Sequence, residues 1–383
     1  MRHRILIWMV CPALSSLAAD LKGLRQMSEV NITAQTVGAP FEGDKPPFLW
    51  ALSFSPDGKT LAVGLQFSRK ESEFKYTFRS YLLLIPADRP GVVLKQFETP
   101  SQGQLRNLHR TVWSANSRFL AITPWGDWDH SGAVDLESGQ LHVFRDRMDV
   151  PWCGAAVAVL PGPQFVQQCS TARTFDRPVR FLELDGTTSS AWTFPPGAYL
   201  MEVSPDGRML AVDFIGPSGK YPLLSPHDIA LFNIADRSTV RRWSLPEAGG
   251  YAGTFANTGT AFCTVSNPNV VGPKHEIACR DIASGEMRSK LHLGRGTVTV
   301  RAAGDKLVLH YSNVVLFPFS IFGTSFVFTH DDVSIVDPQT GRALSQWRIP
   351  WGDDSNTSYA VSQSGDLVAI GEAGRIRIFS VTQ

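Results

Sequence analysis

Histidine and aspartate are the residue types of this chain that suit catalysis or metal binding, because imidazole and carboxylate groups transfer protons and ligate metal ions. Six histidines and four aspartates lie in or beside segments that separate apolar runs: His109, His130, His227, His275, His310, His330, Asp213, Asp331, Asp353 and Asp354. No spacing joins them into a known motif. The sequence has no G-x-S-x-G nucleophile elbow, H-E-x-x-H zinc motif, phosphate-binding loop or dinucleotide fingerprint. Catalysis is therefore the second interpretation, and binding is the first.

One short segment has oxygen donors at alternating positions, as the opening of a calcium loop does. Asp127, Asp129 and Ser131 alternate before Gly132, and Asp135 follows. The expected final glutamate is displaced by one position. The segment therefore predicts either a calcium site formed by these four oxygen-bearing side chains or an Asx-type hairpin turn without metal. No other cofactor is predicted.

Four cysteines form two pairs with equal spacing. Cys153 and Cys169 are sixteen residues apart, as are Cys263 and Cys279, and turn-forming residues lie near the middle of each interval. Residues equidistant from a hairpin turn face each other at a distance that a disulfide can bridge. We therefore predict the disulfides Cys153–Cys169 and Cys263–Cys279, with four reduced core cysteines as the alternative. The absence of a C-x-x-C pair disfavours zinc.

The composition indicates a globular protein with many strands. The 383 residues are 43% hydrophobic and 19% charged, which excludes a mainly disordered chain. The 32 Gly, 25 Pro and 23 Phe combine turn formers with a β-favouring aromatic residue, so an all-helical fold is excluded. The formal charge of +1 gives no general attraction to nucleic acid, and we predict no nucleic-acid partner.

The N-terminal residues 1–19 have the order of a secretory signal peptide. Arg2 and Arg4 precede an apolar run from Ile5 to Leu17, and small residues follow. The apolar run is too short to span a bilayer comfortably, so no transmembrane span is expected after cleavage. We predict export to the periplasm or the extracellular space. An uncleaved N-terminal helix or anchor is the alternative.

A repeat runs through the rest of the chain. Its clearest copies are the segments 54–63 and 203–212, which share the pattern S-P-D-G-[KR]-x-L-A between two apolar strands. Seven copies are marked by a turn residue: Gly58, Ser117, Gly162, Gly207, Gly259, Gly304 and Gly365. Three of the six intervals are 45 residues long, and the others are longer. This period fits four-stranded propeller blades.

The last copy has only three strands before the C-terminus. The β-compatible segment 30–36 has no other obvious partner, so we predict that it completes the last blade and closes the ring. The fold class is therefore all-β: one seven-bladed β-propeller of four-stranded antiparallel blades spanning residues 24–383.

The repeated S-P-D-G-[KR]-x-L-A signature resembles the seven-bladed propellers of the WD-repeat and TolB-like superfamily (WD40-like, YVTN/quinoprotein-like). The resemblance is architectural. No Gly-His dipeptide occurs, and Trp128-Asp129 is the one Trp-Asp pair, so the sequence departs from true WD-repeats. Propellers of this kind act as scaffolds, ligand binders and enzymes, and the resemblance does not select among these functions.

Loop lengths distinguish the two faces of such a ring. Connections from the first to the second and from the third to the fourth strand of each blade form the short-turn face. The other connections form the long-loop face, to which the sequence assigns the long segments 64–80, 98–110, 122–131, 213–228, 266–274, 310–331 and 349–358. Function tends to lie on long loops held by a rigid scaffold, so we predict that the long-loop face binds the partner.

Four tryptophans on these loops are candidate binding residues: Trp125, Trp128, Trp152 and Trp351. Tryptophan provides a large contact area with little conformational entropy to lose. The alternative is that each one packs beneath its own loop or between blades. Residues 314–328 are also candidates, because they carry no charge and include Phe317, Phe319 and Phe322. This segment predicts an extra hairpin on its own blade, a docking site for a protein or membrane surface, or a lid over the axis.

The sequence as a whole favours an exported propeller that binds an unidentified protein or small ligand through its long-loop face. The alternative is a propeller enzyme of the hydrolase or lactonase type, with a His/Asp site at the mouth of the central axis.

Overall fold

The structure is a computed structural model that describes most of the chain after residue 23. The described ranges are 24–39, 46–73, 75–99, 108–124, 131–144, 156–160, 163–168, 178–195, 197–215, 227–245, 251–266, 275–293, 296–317, 325–350 and 358–381. They contain 28 β-strands and one 3-10 turn, Asn257–Gly259. No helix within these ranges has the length and apolar composition needed to cross a membrane.

The strands form seven antiparallel four-stranded sheets, or blades. Blade 1 contains β2 (Phe48–Phe54), β3 (Thr60–Ser72), β4 (Lys75–Pro86) and β5 (Lys95–Thr99). Blade 2 contains β6 (Leu108–Trp113), β7 (Phe119–Pro124), β8 (Gly132–Asp135) and β9 (Gln140–Val143). Blade 3 contains β10 (Ala156–Val159), β11 (Phe165–Gln168), β12 (Val179–Leu182) and β13 (Thr188–Trp192).

Blade 4 contains β14 (Ala198–Val203), β15 (Met209–Ile215), β16 (His227–Asn233) and β17 (Thr239–Leu245). Blade 5 contains β18 (Tyr251–Ala256), β19 (Ala261–Ser266), β20 (His275–Asp281) and β21 (Met287–Leu293). Blade 6 contains β22 (Gly296–Ala303), β23 (Lys306–Phe317), β24 (Ser325–Val336) and β25 (Ala343–Pro350). Blade 7 contains β26 (Ser358–Val361), β27 (Leu367–Glu372), β28 (Arg375–Val381) and β1 (Leu24–Asn31).

Each blade packs on the next, which makes the sheets into a closed ring with β2, β6, β10, β14, β18, β22 and β26 innermost. Both faces of a blade are therefore buried. On β3, Leu61 and Val63 contact the core shared with blade 7, whereas Ala62 contacts the core shared with blade 2. Burial on both faces explains the continuous apolar runs of the repeat. The predicted seven-bladed propeller is confirmed.

Hydrogen bonds in the first turn of a blade explain the Ser-Pro-Asp-Gly signature. The Ser55 hydroxyl donates to the Asp57 carboxylate at 2.5 Å and accepts the Thr60 N–H at 3.0 Å. Gly58 has φ +70°, which disfavours a side chain. Blade 4 repeats the arrangement with Ser204 and Asp206, whose side chains are 2.6 Å apart. The repeated residues therefore fix the turn that positions the two innermost strands.

An N-terminal strand closes the ring, as the sequence predicts, but its bounds differ. The strand β1 covers Leu24–Asn31 and pairs with β28 from Leu24 opposite Val381 to Asn31 opposite Arg375. The predicted strand 30–36 overlaps only its last two residues. The following residues instead bury Ile32 and Val37, which are both 3% exposed, in the core between blades 7 and 1. Apolar content alone did not separate the pairing strand from the anchored turn.

Candidate functional site

Two hairpins extend beyond the blades on the long-loop face. In blade 1, β5 pairs with β4 only between Ser80 and Leu84, whereas β3 and β4 remain paired as far as Ser72 and Lys75. In blade 6, β23 and β24 remain paired as far as Phe317 and Ser325. The segments 64–80 and 310–331 are therefore largely strand and not loop, because pairing satisfies their backbone polar groups. Blade 7 lies between the two hairpins.

The blade 1 hairpin presents two aromatic side chains to solvent. Tyr76 is 50% exposed and Phe78 is 37% exposed. Their rings lie nearly parallel with centroids 6.1 Å apart, on the same side of β4. Lys75 pairs with Glu71 at 2.6 Å beside them. A rigid aromatic pair with a charged rim has the features of an interface hot spot.

The blade 6 hairpin includes the uncharged segment 314–328. Val314 pairs with Phe328 and Phe317 with Ser325, so both ends of the segment are strand, in agreement with the interpretation as an extra hairpin. Phe319 and Phe322 lie outside the described residues. Whether this hairpin docks on a partner or covers the axis stays a prediction.

The predicted tryptophan anchors are all outside the described residues: Trp125, Trp128, Trp152 and Trp351. The same holds for Cys153 and Cys169. In contrast, Cys263 and Cys279 lie opposite each other on β19 and β20. Their sulfurs are 2.10 Å apart, which is disulfide distance. The hairpin argument therefore places this pair correctly.

The four proposed calcium ligands are only partly described. Asp127 and Asp129 lie outside the described residues. Ser131 precedes β8 and Asp135 ends it, so the two are about 13 Å apart along the strand. The Arg118 guanidinium contacts Asp135 at 3.2 Å and, despite partial desolvation, holds the pKa of that carboxyl below its usual value. Within the described residues, no three His, Cys, Asp or Glu side chains are grouped to hold a metal.

Two candidate histidines are buried within blades 4 and 5. His227 Nδ1 lies 2.8 Å from Asp213 Oδ2, and both side chains are less than 5% exposed. His275 is fully buried, and its Nδ1 lies 3.1 Å from the carbonyl oxygen of Ser266. Each histidine begins the third strand of its blade. These contacts join the second and third strands next to the long-loop face.

Glutamines occupy comparable positions in blades 1 and 3. Gln66 donates to the Ser80 hydroxyl at 3.0 Å. Gln168 donates to the carbonyl of Ala198 at 2.9 Å and accepts the Leu200 N–H at 2.6 Å, so it joins blade 3 to the innermost strand of blade 4. Buried polar groups of this kind fix blades in register because each is hydrogen-bonded. His227, His275 and Asp213 therefore have a structural explanation.

The seam between blades 6 and 7 contains partly exposed polar side chains. His310 Nε2 lies 3.2 Å from Asp331 Oδ2, and their side chains are 22% and 14% exposed. The Tyr359 ring lies 4.7 Å from the His310 ring, centroid to centroid. The Tyr359 hydroxyl shares a hydrogen bond of 3.2 Å with the Thr299 hydroxyl. Among the described residues, β22 and β26 also approach each other less closely than the innermost strands of the other seams.

Electrostatics at this seam act mainly on Tyr359. Burial raises the pKa of the Tyr359 phenol above its usual value, and the Asp331 carboxylate acts in the same direction. The Arg301 charge and the Thr299 hydrogen bond lower it. Because the net direction is upward, the phenol is protonated at neutral pH and can donate a hydrogen bond.

A cavity of about 340 Å³ lies along the central axis beside this seam. Tyr359 and Arg301 line it, together with residues from the other innermost strands. Turn residues such as Pro56 and Pro205 also line it, so the cavity opens on the short-turn face. The sequence interpretation favoured the opposite face. It did not identify Tyr359 and Arg301. Each is a polar residue in an innermost strand, and the sequence gives no further sign of its position on the axis.

The structural comparison agrees with this architecture. The crystal structure of the Cps50 (Swd1) β-propeller domain from Myceliophteria thermophila superposes with a TM-score of 0.59 and 13% identity, covering 94% of this chain and 100% of that chain. Both chains have the fold of a β-propeller. No protein-family model matches the sequence, and no curated protein matches it either. At this identity, the likeness concerns the fold alone.

Proposed function

We propose that this seven-bladed propeller is an exported binding module that recognises a partner protein through its long-loop face. The observation that carries the proposal is the exposed Tyr76–Phe78 pair on the projecting blade 1 hairpin. Hydrophobic side chains of this size are usually buried in a monomer, and exposed clusters of them favour a binding surface. The uncharged blade 6 hairpin on the same face is a second candidate contact.

Site-specific photo-crosslinking tests the binding surface. A photoreactive phenylalanine analogue at position 76 should capture one protein from the native source, and the same analogue at Leu344 is the control. Leu344 is also exposed, at 51%, but it lies on β25, the outermost strand of blade 6. Phe78→Ser should abolish the crosslink at position 76 while the thermal midpoint is retained. Equal crosslinking from positions 76 and 344 would contradict the proposal.

Export is supported by the signal-like residues 1–19 and by the Cys263–Cys279 pair at disulfide distance. Disulfides persist in oxidising compartments and are rare in the cytosol. Cell fractionation followed by N-terminal sequencing is the test. We expect a mature chain that begins near residue 20, outside the cytosol. A full-length protein that remains in the cytosol with free thiols would exclude export.

A second candidate function is hydrolysis at the seam between blades 6 and 7. His310 is oriented by Asp331, as the general base of many hydrolases is oriented by a carboxylate. Its ring contacts that of Tyr359, which lines the axial cavity. A panel of ester and lactone substrates tests this function. Turnover that is lost in His310→Asn and retained in His292→Asn would favour the enzyme, because His292 is exposed on β21 in blade 5. If the wild-type protein turns over none of these substrates, the enzyme is excluded for this panel and the binding module remains the proposed function.

A further inference from the structure

Arg301 is a charged donor in the lining of the axial cavity. Within the described residues, Arg301 makes no hydrogen bond or ion pair, although it is exposed and lines the cavity. Other arginines that accompany a carboxylate are paired, such as Arg242 with Asp228 at 2.6 Å and Arg348 with Asp332 at 3.0 Å. The fixed guanidinium of Arg301 therefore has its full hydrogen-bonding capacity available to a ligand.

Several other polar groups of the wall are already partnered. Ser53 and Thr111 share a hydrogen bond of 2.5 Å, and the Trp113 indole donates to the Ser53 hydroxyl at 3.0 Å. Glu202 accepts the Phe255 N–H at 3.0 Å. These bonds hold the innermost strands of neighbouring blades together. Arg301 is therefore the cationic donor that the wall offers to a ligand.

The chemistry of the wall selects the kind of anion. A guanidinium fork matches the two oxygens of a carboxylate, and the protonated Tyr359 phenol is a second donor nearby. The Glu202 carboxylate lines the same cavity and disfavours a dianion such as phosphate. Leu200, Met201 and other apolar side chains complete the wall. The volume is at the lower end of the range for small-molecule sites, roughly 300–1,000 Å³.

We propose that the axial cavity binds a small organic acid with a single carboxylate. The carboxylate pairs with Arg301 beside Tyr359, and the apolar part of the acid lies against Leu200 and Met201. This site opens on the short-turn face and is distinct from the protein-binding surface proposed above.

Ligand binding to the full-length protein tests the site. The probes are benzoate and hexanoate, with benzamide and hexanamide as uncharged analogues of the same shape. Isothermal titration calorimetry should detect binding of at least one acid, at least tenfold tighter than that of its amide. Arg301→Gln should weaken binding of the acid by roughly tenfold to a hundredfold, as expected for loss of a charge-assisted hydrogen bond.

Two further variants separate the site from general effects. Arg301→Lys keeps the charge but loses the fork, so binding should be intermediate between that of wild type and Arg301→Gln. Arg89→Gln should leave binding unchanged, because Arg89 is 73% exposed, outside the cavity. The thermal midpoint of each variant shows whether it is folded. Since Arg301 makes no bond within the described residues, we expect all three variants to fold.

Several results would overturn the proposal. They are equal binding of acids and amides, unchanged binding in folded Arg301→Gln, and no binding of either acid at millimolar concentration. Binding of inorganic phosphate or of a peptide C-terminus without binding of the free acids would assign the cavity to a different ligand and overturn the proposal as well.

Discussion

Gly304 closes a tight contact between blades 6 and 7, and its replacement by alanine should destabilise the ring. Gly304 begins the two-residue turn between β22 and β23, with φ +60°. A Cβ atom at this position would overlap the backbone carbonyl oxygen of Gln363 in the first turn of blade 7. A backbone atom cannot rotate away as a side chain can. Relief of the overlap therefore requires the two blades to move apart.

Gly58 provides a matched control in the equivalent turn of blade 1. Its φ is +70°, so alanine has a similar conformational cost, but nothing lies within 4 Å of the added Cβ. That cost is about 1–2 kcal/mol. Overpacking against backbone adds about 1–3 kcal/mol. We therefore expect Gly58→Ala to lower the free energy of unfolding by about 1–2 kcal/mol and Gly304→Ala by about 2–5 kcal/mol.

Urea unfolding followed by circular dichroism measures both values. The slopes of the transitions should agree among wild type and the two variants, so that the difference in midpoint reports stability. A larger loss for Gly304→Ala supports the close approach of blades 6 and 7 at the short-turn face. Equal losses, or a larger loss for Gly58→Ala, would refute the reasoning, because the positive φ would then account for the whole effect.

Three further outcomes follow from the closing strand, the disulfide and one acidic turn. Deletion of residues 24–38 should sharply lower the thermal midpoint, since it removes β1 and exposes the edge of β28; a midpoint equal to that of the full chain would exclude this closure. Replacement of both Cys263 and Cys279 by serine should lower the free energy of unfolding by about 3 kcal/mol, measured by urea unfolding without reductant, and no change would indicate that the thiols are reduced. Hydrogen bonds from the Ser284 N–H and then from Arg288 lower the pKa of Asp281 from 3.8 to about 2. Its stabilising contribution should therefore be complete above about pH 4 and be lost as the pH falls through 2, so Asp281→Asn should lower the urea midpoint at pH 6 but not at the acid limit.

The sequence predicted the ring because its turn chemistry is local. Among the seven turn markers, Gly58, Gly207 and Gly365 have φ between +70° and +76°, and even Ser117 has φ +58°. A backbone that needs a positive φ constrains the residue type at that position, so the repeat could be recognised from one chain. Strand bounds were less predictable. Whether residues 24–29 or 32–36 pair with β28 depends on contacts across the whole length of the chain.

The axial cavity was not predictable because it is formed by residues that are distant in sequence. Ser53, Glu202, Arg301 and Tyr359 come from four different blades, and nothing in the local sequence of their strands marks them as neighbours. The ring brings them together only after all blades have packed. The histidine prediction had a different weakness. It grouped residues by face, although the structure distributes His227, His275 and His310 among three separate blades.

Differences among the seams separate structural polar groups from functional candidates. A ring built from repeated blades needs its buried polar groups to be hydrogen-bonded. Gln168 bonds across the seam between blades 3 and 4, whereas Asp213 and His227 pair within blade 4. Arg301 does not contribute to such a network within the described residues. A charged group that strengthens no seam has no structural reason to face the axis, so its position points to a ligand. Because the cavity opens opposite the two projecting hairpins, carboxylate binding and partner binding should not exclude each other sterically.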